Sequence, residues 1–183
     1  MTSPLETVTL NHGAVLASRH GRRVPAHFGS VGAEEAVCLH SVGMADRFDR
    51  CTFELSGPGV EDALGAVGDR AWWTFVGPDR ALARCEAADA EALVSVGAAD
   101  RTGAYAAIGL VGPRAGELLD AIDLNPSGVV IGEAPGCFEV LLPAAHGPEL
   151  WEHLLAAGAP FDLACVGHDA LDRLAASRRL GHA

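Results

Sequence analysis

Few side chains in this 183-residue sequence combine a chemically useful type with a useful spacing. Cys165 and His168 stand three apart, as two ligands of a tetrahedral metal ion would. No second pair completes such a site, so the spacing reads as a loop coincidence and no metal is expected. Arg47 and Asp49, within Asp46-Arg47-Phe48-Asp49-Arg50, can pair as ions, and the pair reads as solvated and worth little. Trp72 and Trp73 are neighbours, so on a strand they point to opposite faces. One then fills the core, and the other, taken as Trp73, can stack on a flat ligand ring. All 13 basic residues are Arg, which excludes a lysine Schiff base and a P-loop lysine. The five cysteines (Cys38, Cys51, Cys85, Cys137, Cys165) are scattered, odd in number and free of Cys-x-x-Cys, and read as reduced, buried small hydrophobes.

Composition narrows the class further. With 49% hydrophobic and 20% charged residues the chain has the makings of a packed core. A formal charge of −11 repels nucleic acid and anionic membrane surfaces alike. No apolar run approaches the roughly 20 residues that span a bilayer. The polar, acidic first ten residues do not read as a secretion signal, and a cytoplasmic location is expected. Gly-rich nucleotide fingerprints and Gly-x-Ser-x-Gly are missing.

The elements that must position these residues are punctuated by Gly57-Pro58, Gly77-Pro78 and Gly112-Pro113. Two of these follow apolar runs and precede helical patterns: 53–58 then 60–64, and 108–113 then 115–119. Each reads as strand, turn and helix, with proline suited to the first helical turn. The two copies form a pseudo-repeat. Strands are also expected at 14–17, 50–55, 71–76 and 81–85, the last two pairing across Gly77-Pro78. A hairpin is expected from 129–131 and 138–142. Helices are expected at 33–41 (with Ala36, Val37 and His40 at helical spacing), at 89–94 capped by Asp89, at 148–157, and at 169–179. In the last of these, Arg173, Arg178 and Arg179 suit the negative helix end. This order predicts an α+β domain of antiparallel sheets with packed helices, spanning 1–183 in approximate lobes 1–95 and 96–183.

Three stretches carry a family resemblance. One is Gly21-Arg22-Arg23-Val24-Pro25-Ala26-His27-Phe28-Gly29-Ser30, followed by Glu34-Glu35 and a turn at Gly43-Met44-Ala45-Asp46. Another is the pair of strand–Gly-Pro–helix units. The third is Gly132-Glu133-Ala134 and Gly136-Cys137-Phe138-Glu139-Val140, then Leu150-Trp151-Glu152, Asp169-Ala170-Leu171 and Gly181-His182. In order and spacing these resemble the folate-binding T-protein family, the aminomethyltransferases of glycine cleavage, in a shortened form without the C-terminal barrel.

The resemblance implies the family's first two lobes, which enclose a pocket for tetrahydrofolate, and one-carbon (aminomethyl or methyl) transfer or C–N bond chemistry. It makes Glu133 the pterin-binding carboxylate, able to accept two hydrogen bonds from an amino-pyrimidine edge; otherwise Glu133 is a solvated hairpin residue. Asp69 aligns with an aspartate beside the reactive folate nitrogen, a proton acceptor if partly buried or else a turn residue. Tyr105 either lines the pocket or packs in the core. Arg173 either meets a glutamate-tail carboxylate or faces solvent. Asp46-Arg47-Phe48-Asp49-Arg50 departs from the family's Asp-x-Ser-His-Met, Arg70 replaces a second aspartate, and Val111 replaces a glutamine. A barrel-less chain is also similar to the gamma subunit of heterotetrameric sarcosine oxidase. Three functions follow: a folate-binding one-carbon transferase, a non-catalytic subunit acting through a partner chain or as a homodimer, and a folate-independent site for another small molecule.

Overall fold

A computed structural model describes residues 1–122, 124 and 128–180, the side chains of 178–180 excepted. The chain opens with α1 (Glu6–Asn11), β1 (Val15–Arg19), β2 (Arg22–His27), α2 (Val31–His40) and β3 (Val42–Asp46). Next come β4 (Cys51–Ser56), α3 (Val60–Val67), β5 (Trp72–Gly77), β6 (Arg80–Cys85), α4 (Ala90–Ser95) and β7 (Ala99–Asp100). It continues with β8 (Tyr105–Val111), α5 (Ala115–Ala121), β9 (Val129–Ala134), β10 (Cys137–Pro143), α6 (Gly147–Gly158), β11 (Leu163–Cys165) and α7 (His168–Leu180). The chain is α+β, as its pattern indicates.

Among the described residues the strands form a five-stranded sheet ordered β11-β3-β8-β10-β9, a four-stranded sheet ordered β5-β6-β4-β7, and the ribbon β1-β2. Every pairing between these strands is antiparallel except β11 with β3. The sheets interleave along the chain: β3 belongs to the first, β4 to β7 to the second, and β8 onward to the first again. Residue 95, the end of the first expected lobe, ends α4 inside the four-stranded unit.

Both strand–Gly-Pro–helix units are present, β4 into α3 and β8 into α5. The glycine itself makes each turn, with Gly57 at φ +104° and Gly112 at φ +146°. The prolines fall one residue outside the N-caps Gly59 and Arg114, not in the first helical turn. At Gly112 a Cβ would sit 2.1 Å from the Ser41 carbonyl oxygen, so no other residue fits.

Residues 43–46 are not a turn. They belong to β3, which is buried along its whole length between β8 and β11, as expected of a strand covered on both faces. Helix α2 also presents a different face from the apolar one expected. Glu34 and Cys38 are buried, while Ala36 and His40 are exposed. The reason is polar: the Glu34 carboxylate accepts the N–H of Phe28 and that of Gly167, each at 2.8 Å. Ser30 caps this helix by accepting the Ala33 N–H. Asp89 occupies the N-cap position of α4 without a capping hydrogen bond. The side chains of Arg178 and Arg179, and the Gly181-His182 match, lie outside the described residues.

One core lies between the five-stranded sheet and helices α1, α5 and α6, around Met44, Ile108, Leu110 and the fully buried Trp151. A second fills the space between the four-stranded sheet, α3 and α4, around Phe53, Leu64 and Leu93. A seam of Leu82, Ile131 and Leu141, with Trp72 and Tyr105 at its margin, joins the two sheets.

Candidate functional site

The charged residues that the sequence scatters over β6, β9, β10 and the 47–50 turn meet at this seam. Arg84, on β6, is 1% exposed and uses each part of its guanidinium. Its Nε donates to Glu139 Oε2, Nη1 to Thr52 Oγ1 at 2.6 Å, and Nη2 to the Arg47 carbonyl at 2.6 Å. Arg50 donates from Nε to Glu86 at 2.8 Å and from Nη1 to Glu139 at 2.7 Å. The same Nη1 donates to Glu133 Oε1. Arg47 pairs with Asp49 at 3.2 Å, and its Nη1 lies 3.8 Å from Glu139 and 4.0 Å from Glu133. Three buried arginines thus face Asp49, Glu133 and Glu139 in a closed ion-pair network.

The Arg47–Asp49 pair is therefore buried, not solvated as its sequence spacing suggests. It is covered on one side by α7, whose His168 lies 3.7 Å from Asp49. On the other side it rests on Gly109, where a Cβ would come within 2.8 Å of the Arg47 side chain. A glycine in mid-strand β8 is thus the mark of an arginine lying across the sheet.

The network sets the protonation of its members. Burial opposes the charge on Glu139, but Arg84, Arg50 and Arg47 outweigh it and hold that carboxyl well below the usual range. Burial is likewise outweighed at Asp49, which Arg47 and His168 hold at about 2. Glu133 moves the other way, raised by burial and by the neighbouring Glu139. Asp46 is pushed up to about 7 by burial; its Oδ1 accepts the Phe48 N–H at 3.0 Å. His168 is lowered by burial, and its Nε2 donates to the Asp46 carbonyl at 2.9 Å.

Beside the network lies a cavity of about 500 Å³. Arg47, Arg50, Glu133 and His168 form its polar wall, Leu171 and Leu174 its apolar one, and Arg19 and Asp172 pair at 2.7 Å on its border. Of Asp69, Trp73, Tyr105, Glu133 and Arg173, Glu133 alone lines it. Asp69 is exposed in the short turn after α3, and Arg173 is exposed on α7. Trp73 packs into the core of the four-stranded sheet. Its neighbour Trp72 takes the opposite face and lies under Arg50, whose guanidinium carbon is 4.4 Å from the ring centroid. Tyr105 is half-buried in the seam. No group of three or more potential metal ligands occurs among the described residues.

Arg84 and Glu86 carry no sequence motif, and Arg50 and Glu139 enter the sequence reading only inside longer motifs, with no role of their own. The signal was present for two of them: Arg84 interrupts Ala81-Leu82-Ala83, and Glu139 interrupts Phe138 and Val140-Leu141. A charge in an apolar strand demands a buried partner.

No family model and no curated protein matches the sequence. Solved structures do match. The glycine cleavage system aminomethyltransferase T from Bartonella henselae superposes with a TM-score of 0.70 at 18% identity, over 93% of this chain. This chain spans 60% of that protein's length. A chain of the heterotetrameric sarcosine oxidase from Corynebacterium sp. U-96, solved with pyrrole 2-carboxylate, gives a TM-score of 0.53 at 17% identity, over 78% of this chain and 97% of that one.

Proposed function

We propose that this chain, T-protein-like in fold, is a non-catalytic domain that serves a larger assembly. One observation carries the reading: the Arg50 guanidinium sits between Glu133 and Glu139. The carboxylate that would accept a pterin edge already accepts an internal arginine. An incoming amino-pyrimidine would have to displace that arginine from Glu133 and break one pair of a buried network, which is costly. Asp69 is exposed and outside the cavity, and Val111 offers no polar contact there. This set of residues does not fit tetrahydrofolate. The near-complete coverage of one chain of a heterotetrameric oxidase supports a subunit role.

Anaerobic calorimetric titration with tetrahydrofolate and with 5-formyltetrahydrofolate tests this directly. No saturable heat is expected. Saturable binding that weakens in Glu133→Ala overturns the proposal in favour of a folate pocket and one-carbon transfer. Purification of the tagged chain from its own cells is expected to bring a stoichiometric partner chain, and recovery of the chain alone counts against the subunit role.

The cavity favours a second reading, a folate-independent site for a small polar molecule. Its volume of about 500 Å³ suits such a ligand. A small molecule that raises Tm for the parent but not for Arg47→Met would establish it.

A further inference from the structure

Outside the cavity, two thiols face each other. Cys51 begins β4 and Cys85 ends β6, and the antiparallel register places them directly opposite. Opposed residues in such a ladder have Cα atoms about 4.5–5.5 Å apart, inside the range of about 4.4–6.8 Å that a disulfide spans. Arg22, on β2, points Nη2 at Cys51 Sγ from 3.0 Å. Its Nη1 donates to the carbonyls of Phe48, Asp49 and Arg50, at 3.2, 3.2 and 2.7 Å. A guanidinium thus clamps the turn that carries Asp49 and Arg50 and ends against a sulfur.

We propose that Cys51 and Cys85 are a dithiol site, with Cys51 the thiolate nucleophile toward hydrogen peroxide and Cys85 the thiol that closes a cross-strand disulfide. The electrostatics agree with the geometry. A hydrogen bond from Cys85, together with Arg22, lowers Cys51 below the usual thiol range, while that same bond raises Cys85. Cys165, by contrast, is pushed up to about 12 by burial. Cys51 is 4% exposed, so a small neutral oxidant suits it.

In the first step the Cys51 thiolate attacks one peroxide oxygen. An S–O bond forms, the O–O bond breaks, and the departing hydroxide takes a proton and leaves as water. Cys51 is then a neutral sulfenic acid, and the thiolate that raised Cys85 is gone. Cys85 attacks the Cys51 sulfur, the S–S bond forms, the S–O bond breaks, and the leaving hydroxide takes the Cys85 proton as a second water. Two thiols and one peroxide give one disulfide and two waters. Arg22 loses its anionic neighbour, so the clamp on the 48–50 turn changes with the redox state.

The test is peroxide treatment of the native chain followed by non-reducing digestion and mass spectrometry, with the urea-unfolded chain as control. A single linkage between the Cys51 and Cys85 peptides is expected. Cys85→Ser should leave a dimedone-reactive sulfenic acid on Cys51, and Cys51→Ser should leave Cys85 unlabelled. Arg22→Gln should slow the linkage about tenfold by raising the attacking thiol. A disulfide between any other pair, or Cys51 no more reactive than Cys165 in the native chain, overturns the proposal.

Discussion

The Arg50 guanidinium lies over the Trp72 ring at 4.4 Å, so one side chain from the edge of β4 closes the seam between the two sheets. Below it the same group holds Glu133 and Glu139 of the five-stranded sheet. Arg50→Leu strips those carboxylates of a partner while they remain buried, and should cost about 3–5 kcal/mol in urea unfolding. Trp72→Leu removes only the cation–π contact and some area, and should cost about 1–2 kcal/mol. Equal losses in the two variants would contradict this account of the seam.

Asp46 gives the stability a pH dependence of unusual sign. An unfolded aspartate titrates near 3.9, whereas burial holds Asp46 at about 7 in the fold. Between these values the folded chain binds the extra proton, so stability falls as pH rises. The contribution is complete below about pH 4 and gone above about pH 7. Relative to Asp46→Asn, the parent should lose about 4 kcal/mol across that window. His168, lowered by burial, acts in the opposite direction in both proteins. The difference between the two unfolding curves therefore isolates Asp46, and a flat difference would refute its assignment.

Glu34 ties α2 to two loops through backbone N–H groups of Phe28 and Gly167. Glu34→Ala leaves both donors without a partner and should cost about 2–4 kcal/mol. Glu34→Gln keeps one acceptor and should recover about half of that in the same denaturation series.

Gly112→Ala faces a left-handed φ of +146° and a carbonyl oxygen 2.1 Å from the new Cβ. A loss of about 3 kcal/mol or more is expected, read as a lowered urea midpoint. Gly116→Ala, on the next helix with open space around it, should be neutral or slightly stabilising.

The repeated strand–Gly-Pro–helix units were legible because their signals are local, contained in about ten consecutive residues. So were the β5-β6 hairpin and helices α6 and α7. The fully buried β3 was not, because Val42-Gly43-Met44-Ala45-Asp46 is short and shows no alternation. The ion-pair network was less legible still. Arg84 and Glu139 are 55 positions apart, and Arg50 and Glu139 are 89 apart. Each alone reads as an ordinary charge, and only the packing of two sheets brings them together. Glu133 was found as a residue of the cavity wall, but its partner Arg50 could not be named from spacing. Alternation shows that Trp72 and Trp73 take opposite faces without showing which face meets the site, and it is Trp72 that lies under Arg50.

The parallel pairing of β11 with β3 governs how the chain can be born. Their junction is sealed by His168 reaching the Asp46 carbonyl, 122 positions back along the chain. Until the ribosome has released that return segment, β3 has an unpaired edge and α2 lacks its Gly167 anchor. The four-stranded unit, made entirely of residues between β3 and β8, can assemble during synthesis, while the five-stranded sheet must wait. Contacts of such long range fold slowly and expose apolar edges in the interval, which makes the nascent sheet, more than the finished one, the state that chaperones would meet.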